Sequence, residues 1–234
     1  MIASSYRRLA TIAFIATMCG ACDSLPGRPT TADLPLRPSA ITDFSQLYSE
    51  NCAGCHGADG RFGAAIALNN PTYLVIADDA SIRAVVANGV RGTAMPPFAL
   101  SAGGSLTDQQ IGILIDGMRK KWAGVANLAE GAPSYASKEA GNPNRGASIY
   151  AANCQSCHGT DGKGGTAGGS ILDAYYLSLV SDQYLRTITI VGRTDLHHPD
   201  WKQYPSGKPL KSDQVSDVVA WLVSKRPPVP ASQL

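Results

Sequence analysis

The chain contains the sequence Cys52-Ala53-Gly54-Cys55-His56 and, 102 residues later, the sequence Cys154-Gln155-Ser156-Cys157-His158. The two-residue gap places both cysteine sulfurs of a motif on one helical turn. Because the histidine follows the second cysteine directly, the orientation of its imidazole is restricted. The pattern C-x-x-C-H attaches c-type haem through two thioethers to porphyrin vinyl groups, and its histidine binds iron. Zinc ribbons also pair C-x-x-C motifs, but at a separation of about 15–20 residues. The motifs therefore predict two covalently bound haem c groups, attached through Cys52, Cys55, Cys154 and Cys157, with His56 and His158 as iron ligands.

The regions around the two motifs are copies of one another. Tyr48-x-x-Asn51-Cys52 recurs as Tyr150-x-x-Asn153-Cys154 at an offset of 102 residues. The offset rises to 103 where Gly89 matches Gly192, and to 104 over the last part of each copy. Such slow drift is expected from single-residue insertions in the loops of two copies of one domain. A length of 234 residues also fits two small domains better than one.

Each copy is predicted to be mostly helical. In the first copy, Asp43 can cap a helix that runs into Cys52, and a middle helix follows Asp79. The last helix opens with Thr107 or Asp108 and then shows apolar residues at helical spacing. The second copy repeats these signals, so both copies share one order of elements.

Helix, haem motif, helix, distal-ligand loop and C-terminal helix is the order found in class I cytochromes c. Both copies resemble that family over their whole length, which implies an all-α fold of two tandem class I cytochrome c domains. Pro-rich stretches separate the predicted parts of the chain. We predict a signal peptide at residues 1–21, a Pro-rich tether at 22–40, domain 1 at 41–123, a linker at 124–144, domain 2 at 145–228 and a tail at 229–234.

The resemblance implies a distal iron ligand in the loop between the middle and last helices, where the family commonly supplies methionine. In the first copy Met95 lies in that loop and is followed by two prolines, which restrict the backbone around it. Met118, on the apolar stripe of the last helix, is expected to be a core residue. We therefore predict Met95 as the distal ligand of the first haem.

The second copy has no methionine, so its haem needs a different distal ligand. His198 stands at an offset of 103 from Met95 and is likewise followed by a proline. We predict His198 as the distal ligand, with the neighbouring His197 as the alternative. Ligation by Lys202 or Lys208 and an iron without a sixth ligand are further alternatives. Since replacing methionine by histidine lowers a haem potential, we expect the second haem to have the lower potential.

The N-terminal segment has the pattern of an export signal. Arg7 and Arg8 precede a ten-residue apolar stretch, Leu9 to Met18, which is shorter than the roughly 20 residues of a transmembrane helix. The small residues that follow lead to Cys22, and this stretch resembles a bacterial lipoprotein signal. We therefore expect a periplasmic protein that is anchored to a bacterial membrane through a lipid on Cys22. A plain secretory signal cut nearby is the alternative.

The balance of charged residues limits the classes of partner that the protein can have. Removing residues 1–21 takes away two arginines and no acid, so 18 basic and 18 acidic residues remain, which argues against nucleic acid. We expect a periplasmic di-haem electron-transfer protein without catalytic residues. Its partners are expected to be a redox protein donor and acceptor, including a membrane respiratory or photosynthetic complex. A di-haem peroxidase-like enzyme and a haem sensor remain alternatives, and both need an open iron at the second haem.

Overall fold

The computed structural model describes residue 27 and residues 34–123 and 130–227. The chain separates into two units, Met1–Ala40 and Ile41–Leu234. In the described part of the first unit, Pro38–Ala40 form one turn of 3-10 helix. The predicted signal peptide, Cys22 and the predicted tail 229–234 lie outside the described residues.

The first copy folds into five helices around its haem motif. Asp43, Asn70, Asp78 and Thr107 cap four of them, because each side chain accepts a hydrogen bond from a backbone N–H in the first helical turn. The sequence predicts a middle helix that follows Asp79; the helix begins at Asp79 itself, because Asp78 is its cap. The helices are α1 (Phe44–Asn51), α2 (Ala53–His56), α3 (Pro71–Ile76), α4 (Asp79–Asn88) and α5 (Asp108–Trp122).

The second copy repeats the same five helices in the same order. From the haem motif onward their first residues follow the offsets read from the sequence, from 102 at the motif to 104 at the last helix, whereas the first helix of the second copy begins three residues earlier than an offset of 102 would place it. These helices are α6 (Pro143–Asn153), α7 (Gln155–His158), α8 (Ala174–Leu179), α9 (Asp182–Val191) and α10 (Ser212–Val223). The all-α prediction is confirmed, since the described residues hold only isolated bridges, at Ala99–Leu106 and Arg193–His198, and no strand.

The last helix of each copy supplies much of its core. The predicted apolar stripe of α5 is buried, including Met118 at 3% exposure, which confirms the expectation that it is a core residue. Burying one such side chain contributes about 1.5–3 kcal/mol to stability. The α10 stripe is buried in the same way and consists of Val215, Val218, Val219 and Leu222. Within the described ranges, no helix has the length and apolar character needed to cross a membrane.

The first and last helices of each copy pack closely together. In the second copy Gly146 of α6 faces α10, where a Cβ on this glycine would lie 2.8 Å from the Cβ of Trp221. Tyr150 of α6 stacks on Trp221 with ring centroids 4.3 Å apart. In the first copy, Tyr48 meets Trp122 edge to face at 5.1 Å. This packing holds the end of the first helix, where the haem motif begins, against the last helix.

Residues 130–142 of the predicted linker pack against the second domain. Arg186 of α9 is 3% exposed, and its guanidinium donates to the backbone oxygens of Ser134 and Tyr135. The hydroxyls of Ser137 and Ser216 lie 2.8 Å apart. This half of the segment is therefore held by α9 and α10, and helix α6 follows it at Pro143.

Candidate haem-binding sites

Each C-x-x-C-H motif forms a single helical turn. The backbone N–H of Cys52 donates to the Tyr48 oxygen at 2.8 Å, and that of His56 donates to the Cys52 oxygen at 3.0 Å. The second motif shows the same two bonds at the same distances. None of the four motif cysteines forms a disulfide, so all four sulfurs are available for thioether bonds.

A backbone carbonyl orients each proximal histidine. Nδ1 of His56 lies 2.9 Å from the Ile66 oxygen, and Nδ1 of His158 lies 2.7 Å from the Gly169 oxygen. Because a carbonyl can only accept, Nδ1 carries the proton in both rings and Nε2 keeps its lone pair. Burial lowers the pKa of His56; the Ile66 hydrogen bond opposes this effect, and the charge of Arg193 adds to it. A neutral ring with an available Nε2 is suited to bind iron.

The structure places His198 at the position that Met95 occupies in the first copy. Gly89 and Gly192 end the middle helices with φ of 65° and 67°, a conformation that favours glycine. A Cβ on Gly89 would lie 2.7 Å from the Met95 oxygen, and a Cβ on Gly192 would lie 2.7 Å from the His198 oxygen. Each loop therefore returns to the helix-ending glycine at the same position, and the close approach requires glycine in both.

His198 and His197 differ in their surroundings. His197 is exposed and has a positive φ of 64°, whereas His198 is half-buried. The ring centroids of His158 and His198 lie 6.0 Å apart. Since a metal–imidazole bond is about 2.0 Å long and the ring centroid lies roughly 1 Å beyond the nitrogen, two imidazoles on opposite sides of one metal have centroids about 6 Å apart. The ring separation therefore fits an iron between His158 and His198.

A buried nitrogen of His198 also fits a ligand role. Its Nδ1 is buried without a hydrogen-bond partner among the described residues. Burial lowers the pKa of this ring, and the neighbouring His158 lowers it further, so the imidazole is neutral at neutral pH. A neutral imidazole is the form that binds a metal. The residues present in the second domain therefore fit a haem iron.

Met95 is held by its own loop. The Val90 N–H donates to the Met95 oxygen at 3.0 Å, and the Met95 N–H donates to the Thr93 hydroxyl at 3.2 Å.

Lys202 and Lys208, the two lysines considered as alternative ligands in the second domain, are exposed. The ammonium of Lys202 lies 5.0 Å from the ring centroid of Trp201. These surroundings favour His198 over the lysines.

Two tyrosines anchor the residue after each motif. The Tyr48 hydroxyl donates to the Gly57 oxygen at 2.9 Å, and the Tyr150 hydroxyl donates to the Gly159 oxygen. Burial raises the pKa of both phenols, which therefore stay protonated as donors. The repeated Tyr-x-x-Asn-Cys pattern pointed to these tyrosines, but only the structure shows the carbonyl that each one holds.

One buried ion pair beside the sites has no signal in the sequence. Arg193 and Asp195 lie 2.9 Å apart with 11% and 5% of their side chains exposed. Hydrogen bonding to Arg193 lowers the pKa of the Asp195 carboxyl, so the pair is charged at neutral pH. The corresponding positions of the first copy are Val90 and Gly92, so the repeat gave no signal for this pair.

Comparison with known proteins identifies both domains. A family model described as cytochrome c oxidase, cbb3-type, subunit III matches residues 39–116, and a cytochrome c model matches residues 143–225. The cbb3-type cytochrome c oxidase subunit FixP of Sinorhizobium medicae is 31% identical over 157 residues, which are 62% of this chain and 49% of that protein. The subunit CcoP of an Azospirillum strain is 29% identical over 148 residues, which are 58% of this chain and 45% of that protein.

This chain thus spans about half the length of the curated relatives that it matches. A solved structure, the Kuenenia stuttgartiensis reducing HAO-like protein complex, matches 83% of this chain and 100% of its own chain, with 16% identity and a TM-score of 0.48.

The protein is a c-type cytochrome with two tandem cytochrome c domains, each of which binds one covalent haem c. More particularly, it is a di-haem cytochrome c related to the FixP and CcoP subunits of cbb3-type oxidases. The predicted class and the two predicted cofactors are confirmed.

Proposed function

We propose that this protein carries single electrons between redox partners through two haems with different axial ligands. The first haem has His56 and Met95, and the second has His158 and His198. When bound, each haem supplies an iron that alternates between the ferrous and ferric states. The observation that carries the proposal is the separation of 6.0 Å between the His158 and His198 rings, at the loop position that Met95 occupies in the first domain.

The protein's own side chains set the properties of the two sites. The carbonyls of Ile66 and Gly169 fix the proximal rings and increase their strength as ligands. Both proximal histidines make the same kind of hydrogen bond, so the distal ligand is the main difference between the two ligand sets. A thioether favours ferrous iron and an imidazole favours ferric iron. Electrons therefore enter at the second haem and leave through the first, which has the higher potential.

The proposed partners follow from the names of the relatives. FixP and CcoP are named as subunits of cbb3-type cytochrome c oxidases. We accordingly place this protein beside a membrane respiratory complex, as a subunit or as a carrier that serves it. The proposed location is the periplasm, with a lipid on Cys22 as the anchor. No catalytic residue is assigned.

A redox titration followed by visible spectroscopy tests the ligand assignment. We expect two one-electron steps with separate midpoints. His198→Met gives the second haem the ligand type of the first and should raise only the lower midpoint. His197→Met is the matched control, since it adds the same side chain one residue away in an exposed position, and it should move neither midpoint. A single midpoint in the unmodified protein, or a shift with His197→Met alone, would contradict the proposal.

A further inference from the structure

The two cytochrome c domains meet at the segment that joins α9 to His198. The guanidinium of Arg193 donates to the Gly63 oxygen in the first domain at 2.9 Å. In return, the backbone N–H of Phe62 donates to the Asp195 carboxylate at 2.8 Å. Arg193 also donates to both oxygens of Asp195, each at 2.9 Å. Two residues of the second domain therefore hold two consecutive residues of the first.

A buried ion pair needs this many partners. Removing an arginine and a carboxylate from water is costly, and this cost is offset only by good geometry and additional hydrogen bonds. The two-pronged bond between Arg193 and Asp195 provides the geometry. The additional bonds come from the first domain, through the Gly63 carbonyl and the Phe62 N–H. The pair is therefore satisfied only while the domains are docked.

The first-domain side of this contact belongs to the first haem-attachment loop. Gly63 packs directly on the motif, since a Cβ on it would lie 2.6 Å from both the Gly57 nitrogen and the carbonyl carbon of His56. Ile66, three residues further along, accepts the hydrogen bond that orients His56. Arg193 thus contacts the loop that holds the proximal ligand of the first haem.

The second-domain side of the contact belongs to the distal loop of the second haem. The backbone oxygen of Arg193 accepts from the His198 N–H at 3.0 Å. A further interdomain bond lies beside it, where the buried Asn70 amide donates to the Val191 oxygen at 3.0 Å. Arg193 is therefore bonded to the first domain through its side chain and to His198 through its backbone.

The repeat shows that these residues serve the contact and not the fold. The first domain builds the same loop with Val90 in place of Arg193 and without an ion pair. The second domain builds its own attachment loop with two glycines, Gly164 and Gly165, in place of Phe62 and Gly63. The charged pair occurs in the copy whose distal loop faces the other domain.

We propose that Arg193 and Asp195 form a clamp that ties the distal loop of the second haem to the attachment loop of the first, with Arg193 as the positioning residue for His198. The clamp holds His198 at the second iron while the two domains are docked. Loss of the clamp frees the distal loop and opens the sixth position of that iron. This inference rests on the proposed role of His198 as a ligand.

The test is carbon monoxide binding by the reduced, full-length holoprotein, because this ligand binds ferrous haem only where the sixth position opens. Losing a hydrogen bond to a charged group shifts an equilibrium about tenfold or more. Arg193→Gln should therefore raise the rate of carbon monoxide binding at the second haem about tenfold, and the oxidised variant should gain a high-spin electron paramagnetic resonance signal. Arg193→Lys keeps the charge but cannot form the same fork of bonds, so it tests the clamp if the Gln variant does not fold.

Arg226 offers a matched control within the second domain. It pairs with Asp182 at 2.8 Å and donates to the oxygens of Leu177 and Val180, all inside the second domain. Arg226→Gln should bind carbon monoxide as slowly as the unmodified protein. Equal rates in the Arg193 and Arg226 variants would overturn the clamp. A high-spin second haem in the unmodified protein would instead overturn the proposed ligand set, so the two failures are distinguishable.

Discussion

The ring centroids of His158 and His198 lie 6.0 Å apart, with their planes inclined at 49°. The first ring is fixed by a carbonyl in the loop after the haem motif, and the second is positioned by the turn that Gly192 makes possible. In the first domain the same turn presents Met95. One fold thus presents methionine in one domain and histidine in the other at the same loop position, and this exchange is the basis of the proposed difference between the haems.

The second domain should depend on a carboxylate that joins its first and last helices. Asp217 of α10 accepts from the Asn142 N–H at 2.6 Å and forms a two-pronged bond with Arg145, and its side chain is 5% exposed. Asp217→Asn keeps the shape but loses the charge-assisted bonds. Because Arg145 is exposed, we expect a moderate loss of about 1–2 kcal/mol in the free energy of unfolding.

Urea unfolding of the holoprotein, followed by the far-ultraviolet circular dichroism of the helices, measures this loss. Asp213→Asn is the matched control, since Asp213 lies exposed on the same helix and should change stability by less than about 0.5 kcal/mol. Equal effects of the two substitutions would show that the bonds of Asp217 contribute nothing specific.

Acid should remove the contribution of Asp217. Its hydrogen bonds with Arg145 hold the pKa of the Asp217 carboxyl below its ordinary value. A carboxyl with a lowered pKa in the folded state stabilises the fold above its unfolded pKa, about 3.9. That contribution is lost as the pH falls through the folded pKa. The stability difference between the unmodified protein and Asp217→Asn should therefore be full at pH 7 and shrink below about pH 4. A difference that is the same at pH 7 and pH 3 would contradict this account.

The segment 130–142 should be released when Arg186 is replaced. Its guanidinium donates to the oxygens of Ser134 and Tyr135, so Arg186→Ala leaves these carbonyls without their partner. We expect faster proteolysis within residues 130–142, measured by limited digestion and mass spectrometry. Arg83 is the equivalent residue of the first domain and is exposed, so Arg83→Ala should leave the cleavage rate of this segment unchanged. Similar rates in both variants would show that Arg186 does not hold the segment.

Much of the architecture is encoded locally and could be predicted from the sequence. The signals for each helix occur in both copies of the repeat. Asp43 and Thr107 are visible as caps in the sequence because capping involves residues only three apart. The offset of 103 between Met95 and His198 also survives in the structure, because the stretch from the helix-ending glycine to each of these residues has the same length in both copies.

The contact between the domains could not be predicted in this way. The bond from Arg193 to Gly63 joins positions 130 residues apart, and neither residue belongs to a repeated motif. The packing of residues 130–142 was hidden for a similar reason, since their partner Arg186 looks like the exposed Arg83 in the aligned repeat. Contacts that are unique to one copy leave no periodic or local signal.

The most direct test of the two ligand sets is an electron paramagnetic resonance spectrum of the fully oxidised, purified protein. The account predicts two low-spin ferric signals of equal intensity, one of His/Met type and one of bis-His type. His198→Ala should convert only the bis-His signal to high spin, while His197→Ala should leave both signals unchanged. A high-spin signal from one haem of the unmodified protein would contradict the account and would direct the next experiments to peroxide and small gases.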